Sequence, residues 1–187
     1  MKRRVIKSVA IAAIAVITMC VAAHAQSFSK GDNVVGFTVG VGGYYSGSGI
    51  LYKDISRTPT LSLYYEHCIV DNLWDEKSSI GIGGMLAFAS AKAKNSWKST
   101  TTVVGFRGAL HYSFVPQLDV YAGMTLGYDI VSWKWDDKNI KIDGDSSSNF
   151  FAAGFIGARY YFNDNLAVFS EVGYNIALFN IGLCLKF

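Results

Sequence analysis

The sequence predicts an all-β fold, an eight-stranded antiparallel up-and-down transmembrane β-barrel with its apolar side outward. Three observations predict it. The last eight residues alternate strictly, with Ile181, Leu183, Leu185 and Phe187 on one face and Asn180, Gly182, Cys184 and Lys186 on the other, because strand side chains repeat every two residues. Similar alternation recurs along the chain in about eight segments separated by polar or Gly/Asp/Asn-rich stretches, the strand number of the smallest bacterial membrane barrels. Beyond residue 25, no apolar run approaches the roughly 18 residues that a spanning helix needs, so strands must do any crossing.

At the N-terminus, Lys2, Arg3, Arg4 and Lys7 precede an apolar run from Val9 to Ala23, and Ala23-His24-Ala25 offers a small-x-small cleavage site before Gln26. Residues 1–25 therefore read as a cleaved secretory signal peptide, and 26–187 as a single barrel domain. Cys20 follows Thr18 and Met19 rather than the small residues of a lipoprotein signal, and goes with the discarded peptide. The signal takes four of the 17 basic residues and none of the 14 acidic ones, leaving 13 against 14, a net charge of −1. The basic balance belongs to the precursor, and the mature chain has no Lys/Arg-rich tract suited to nucleic acid.

The strands are placed near 34–45, 59–68, 79–90, 100–114, 118–133, 148–162, 166–175 and 177–187. Charged positions mark the lumen strand by strand. In the fourth, Val104, Phe106, Gly108, Leu110 and Tyr112 alternate with Val103, Gly105, Arg107, Ala109 and His111, so Arg107 points inward. In the seventh, Leu166, Val168, Ser170 and Val172 alternate with Ala167, Phe169, Glu171 and Gly173, turning Glu171 inward. The same rule assigns Glu66, Asp119, Asp129, Arg159 and Lys186 to a lumenal polar network. Val39, Leu63, Leu86, Met124 and Ile156 face out, along with Val35, Phe37, Val41, Leu61, Ile80, Ile82 and Leu126. A soluble barrel would bury these apolar faces and expose the charges. Moving Arg or Lys to the lipid face near the midplane would cost about 2–4 kcal/mol. Inward glycines such as Gly36, Gly123 and Gly182 leave room for large inward neighbours.

Connection lengths set the orientation, since barrels of this kind place both termini and the short turns on the periplasmic side. Val115-Pro116-Gln117 and Asn163-Asp164-Asn165 are short turns, 69–78 is a longer one, and 46–58, 91–99 and 134–147 are expected as long polar outer loops. A tight outer connection lies near Asn175. Two aromatic girdles then emerge: Phe37, Tyr65, Tyr112, Phe114, Tyr160, Phe162 and Phe187 at the periplasmic end, and Tyr45, Phe88, Tyr128, Phe150, Tyr174 and Phe179 at the outer end.

The signal peptide, the eight strands, the stretch from Ala158 to Phe169 with Glu171, Gly173 and Tyr174, and the Phe187 ending resemble the small OmpA/OmpX-like outer-membrane β-barrel family. The segments Asp71-Asn72-Leu73 and Ile80-Gly81-Ile82-Gly83-Gly84 are similar to Bacteroidetes-type versions. The resemblance implies a monomer in the outer membrane of a Gram-negative bacterium, surrounded by lipid and lipopolysaccharide. It also implies that Asn180, Gly182, Leu185 and Phe187 form the terminal signal read by the barrel-assembly machinery. The expected function is a non-enzymatic surface barrel with a structural, protective or adhesive role through its outer loops, toward an unidentified host or cell-surface ligand. The alternative is a small pore or uptake channel, disfavoured because about eight strands enclose room only for their own side chains.

Sharper chemistry is weakly supported. His111-x-Ser113 resembles part of an outer-membrane lipid A deacylase site but lacks a lipid-facing carboxylate, so no catalytic residue is assigned. His67 beside Glu66 reads as interfacial. Asp143-x-Asp145 with Asp136 and Asp137 lacks the spacing of a calcium loop, and neither metal nor cofactor is expected. Cys68 and Cys184 both face inward on strands that are not neighbours, which disfavours a bridge. Lys92, Lys94 and Lys98 around Trp97 make the second outer loop basic and aromatic, suited to lipopolysaccharide phosphate.

Overall fold

The computed structural model describes residues 27–42, 55–93, 97–135, 146–174 and 177–187. The expected signal peptide, Tyr45, Lys94 and the aspartates of 136–145 lie outside them. The strands are β1 (Asn33–Val41), β2 (Ile55–Arg57), β3 (Thr60–Asp71), β4 (Ser78–Ala93), β5 (Trp97–Val115), β6 (Leu118–Trp135), β7 (Ser146–Tyr161), β8 (Leu166–Gly173) and β9 (Phe179–Lys186). Around the wall the order is β4-β3-β1-β9-β8-β7-β6-β5, and β5 pairs back to β4. Eight long antiparallel strands therefore close on themselves, in the order predicted. The chain ends make one seam: the Asn33 N–H donates to the Phe187 carbonyl at 2.9 Å, and the Phe187 N–H to the Asn33 carbonyl at 2.9 Å.

The ninth strand, β2, continues β3 beyond Pro59 and pairs with the far end of β4, Arg57 opposite Ala91. Pro59 has no N–H to give to the ladder. Thr58 bridges the gap, its N–H donating to the Ser90 carbonyl at 2.9 Å and its Oγ1 accepting from the Ser90 N–H at 3.0 Å.

Large inward rings are seated on glycine. Tyr64, Tyr121, Phe155 and Phe169 lie directly across from Gly36, Gly157, Gly123 and Gly182 on neighbouring strands. A Cβ at any of these glycines would run into the opposing ring. Small positions in one strand thus let aromatics of the next fill the lumen, the cross-strand device by which glycine tightens a curved sheet.

Three boundaries need correction. Residues 91–99 are not a long loop, because β4 runs to Ala93 and β5 starts at Trp97. Likewise β6 reaches Trp135 and β7 begins at Ser146, which narrows 134–147, and 46–58 contains β2. The physical reason is common to all. Outside lipid the outward face no longer needs apolar residues, so hydropathic alternation stops while backbone pairing continues. Phe37 also sits at mid-wall, opposite Leu63 and Leu183, rather than in the periplasmic girdle.

The turn between β3 and β4 is shorter than expected and well tied. Asn72 takes a left-handed conformation at φ 52°, which Asn tolerates. The Ser78 hydroxyl oxygen accepts the N–H groups of Trp74 at 3.1 Å and Asp75 at 3.2 Å. Against desolvation, which raises it, donation from the Lys77 N–H at 3.0 Å and the Tyr112 hydroxyl at 3.1 Å holds the Asp75 carboxyl below its ordinary range.

Candidate functional site: a charged lumen under an exposed rim

Cross-strand register places the inward charges in two tiers. In the periplasmic tier, Asp119 and Arg159 face each other across β6 and β7. Arg159 Nη2 donates to Glu66 Oε2 at 2.8 Å and its Nη1 lies 3.5 Å from Asp119 Oδ2. His111 stands between the two carboxylates, Nδ1 at 2.9 Å from Asp119 and Nε2 at 3.0 Å from Glu66. As an imidazolium it donates to both. Gly81 on the neighbouring strand β4 leaves room for that carboxylate, since a Cβ there would lie 2.8 Å from Glu66 Oε1.

The second tier crosses the lumen. Arg107 on β5 donates to Glu171 on β8 at 2.7 Å, and the Tyr121 hydroxyl donates to the same carboxylate oxygen at 2.9 Å. The Arg107 guanidinium lies 4.5 Å from the Tyr64 ring centre and 4.3 Å from that of Phe155, and Arg159 lies 5.2 Å from Tyr121. Three cations, counting imidazolium His111, thus meet three carboxylates in a space packed with aromatic rings. Asp129 is buried further toward the outer rim, where it accepts the Asn149 N–H at 2.8 Å. Lys186 stands at the periplasmic mouth, 3.5 Å from Asp32 and 5.1 Å from the Tyr161 ring.

Ser113 does not engage His111. Its hydroxyl hydrogen-bonds Ser27 instead, and His111 is 1 % exposed, enclosed by acids rather than poised beside a nucleophile. Cys68 and Cys184 are both buried free thiols. Among the described residues no group of His, Cys, Asp or Glu is arranged to hold a metal ion.

The segment before β1 is the feature that sequence reasoning missed. Phe28 is 1 % exposed, with its ring 4.6 Å from His111 and 5.5 Å from the Arg159 guanidinium. Ser27 offers its carbonyl to Lys186 at 3.4 Å. Backbone bonds from Gly31 to Cys68 at 3.0 Å and from Cys68 to Asp32 at 2.9 Å clamp this cap to β3. A single Phe among serines has no periodicity, so only the apolar residue at the mouth of a polar tunnel could have flagged it. In a Cys68→Ser background, Cys184 should resist maleimide in the folded barrel. Phe28→Ala should speed its labelling about tenfold, equivalent to about 1.4 kcal/mol of local cap stability; an unchanged rate would show that the cap seals nothing.

At the outer end the wall is uneven. A tilted membrane strand needs about 9–11 residues, which the 8 residues of β8 and of β9 scarcely reach, whereas β5 has 19 and β6 has 18. The excess stands above the membrane as a sheet made of β2, β4, β5, β6 and the start of β7. Its outward face changes row by row. Leu86, Val104, Tyr128 and Phe150 form one cross-strand row, then Phe88, Thr102, Ile130 and Ser148, then Ser90, Thr100, Ser132 and Ser146. The next row is Lys92, Lys98 and Lys134, directly opposite one another and all exposed. Lys92 and Lys98 of the predicted basic loop are therefore held on paired strands, and Trp97 opposes Trp135 in the ladder. Among the described residues β8 pairs β7 only from Phe155 to Tyr161, so Ser146 to Asn149 form an exposed edge.

The fold is shared with one solved protein, and a second is reported beside it. The attachment invasion locus protein Ail of Yersinia pestis superposes with a TM-score of 0.52 at 10% identity, covering 84% of this chain and 99% of Ail. Ail in complex with the heparin analogue sucrose octasulfate gives 0.51 at 8% identity, covering 84% and 99%. The outer membrane protein OprG of Pseudomonas aeruginosa gives 0.46 at 11% identity, covering 87% and 99%. A comparison with curated proteins finds no match. The description "Outer membrane protein beta-barrel domain" matches residues 11–182, and with a closed eight-stranded wall, apolar outside and charged inside, the chain belongs to that outer-membrane β-barrel family.

Proposed function

We propose that this protein is a sealed, non-catalytic outer-membrane barrel whose role is exercised at the cell surface by the tall β4–β7 sheet, as a structural, protective or adhesive element. The observation that supports this reading most directly is the pairing of a filled lumen with a one-sided rim. Tyr64, Arg107, Tyr121, Phe155, Arg159, Tyr161, Phe169 and Glu171 are all buried inside the wall, while β4 to β7 carry ordered, exposed backbone well beyond the apolar band. Rigid scaffolds of this kind place recognition on what projects from them. The exposed Ser146–Asn149 edge offers main-chain groups for pairing with a partner strand.

Two measurements test the proposal. Purified barrel in a planar bilayer should give no steady open channel; reproducible conductance that plugging substitutions abolish would favour a pore. Replacing the β4–β5 hairpin tip with a short neutral turn near Ser90 and Thr100 should leave heat-modifiable gel migration intact and remove binding to cells or to outer-membrane lipid. Binding and envelope protection equal to the parent would leave a purely structural role.

A further inference from the structure

The lysine row on the outer sheet has a position that selects its occupant. Lys92, Lys98 and Lys134 point away from the lumen, in register on three adjacent strands. Neighbouring strands lie about 4.8 Å apart, so the row spans about 10 Å. Lys98 and Lys134 set like charges directly opposite each other, which destabilises a sheet, and an anion on the row turns that repulsion into attraction.

Height decides which anion is at hand. The row lies two cross-strand steps beyond the last one with large apolar side chains, which holds Phe88 and Ile130. Two steps are about 14 Å along the strand, or about 10 Å in height for strands tilted near 40°. The headgroup layer is about 6 Å thick on each side of the hydrocarbon, and a lysine stem bends several ångströms toward a preferred level. The ammonium groups therefore reach lipid phosphate from the membrane-facing side of the sheet. One step below, Thr100 and Ser132 place hydroxyls on the same face, at the level of the glycerol or sugar to which such a phosphate is attached.

We infer that Lys92, Lys98 and Lys134 form a binding row for the phosphate groups of a lipid in the outer leaflet. This deepens the surface role proposed above and rests on that orientation of the barrel. The lipid anchors the tall sheet on the side where the barrel is highest, holding it upright against the membrane surface.

The test uses the mature barrel in neutral detergent, titrated with lipid A and followed by native mass spectrometry. The parent should retain lipid A, and Lys98→Gln combined with Lys134→Gln should weaken it about 25-fold, about fivefold for each lysine removed. Dephosphorylated lipid A should bind the parent as weakly as lipid A binds the double variant. Lys30→Gln with Lys77→Gln, at the periplasmic end, should bind lipid A like the parent, and excess inorganic phosphate should not displace the lipid. Equal affinity in parent and double variant overturns the row, as does tight binding of dephosphorylated lipid A or an equal loss in the periplasmic variant. Displacement by inorganic phosphate would make it a site for free phosphate instead and overturn the lipid assignment. Strand circular dichroism and heat-modifiable migration of each variant report on the barrel separately, so loss of lipid binding in a folded barrel is distinguishable from failure of the surface reading.

Discussion

Replacing Arg159 with methionine should destabilise the barrel by about 3–5 kcal/mol, because it leaves buried carboxylates without their cation. Glu66 loses a donor at 2.8 Å and Asp119 a charge at 3.5 Å. Both acids are fully enclosed, so water cannot take the place of the guanidinium without opening the wall. His111 would then be the one cation left in contact with both. Methionine keeps most of the volume, which confines the effect to charge and hydrogen bonding. Urea unfolding from lipid vesicles reads it as a lowered midpoint at unchanged slope. A loss below about 1 kcal/mol would mean that the tier is wet or that its acids are neutral.

The second large effect is a coupling. Arg107→Met and Glu171→Gln should each cost about 3–5 kcal/mol, and the double variant less than their sum, because removing both partners leaves no orphaned charge. The Arg107 to Glu171 bond at 2.7 Å joins strands on opposite sides of the lumen, so no backbone ladder can transmit the coupling in its place. Glutamine at 171 still accepts from Tyr121, which keeps that neighbour satisfied in the cycle. Strict additivity would show that the two side chains do not meet.

These tiers show what a sequence does and does not carry. That Arg107, Arg159, Glu66 and Glu171 share the interior follows from period-two alternation, since a single inward charge fixes the face of every other residue in its strand. Which of them touch depends on register between strands far apart in the chain, as for His111, which reads locally as a lone lumenal histidine and is in fact held between Glu66 and Asp119. The glycines were legible as space, but not as seats for particular rings. Alternation also failed where the membrane ends. Lys92 and Lys98 interrupt the apolar pattern and so suggested a loop, although the ladder carries on through them. Phe28 had no pattern at all, because a cap is defined by the mouth it fills.

The inward and outward assignment of β5 underlies every statement about lumen, rim and partners. It can be measured by placing a spin label at each position from Val103 to Tyr112 in turn, in the barrel folded into lipid vesicles, and recording its accessibility to dissolved oxygen. An outward-apolar wall gives a period of two, with maxima at 104, 106, 108 and 110 and minima at 103, 105, 107, 109 and 111. Maxima at Arg107 and His111, or a flat profile, would contradict it.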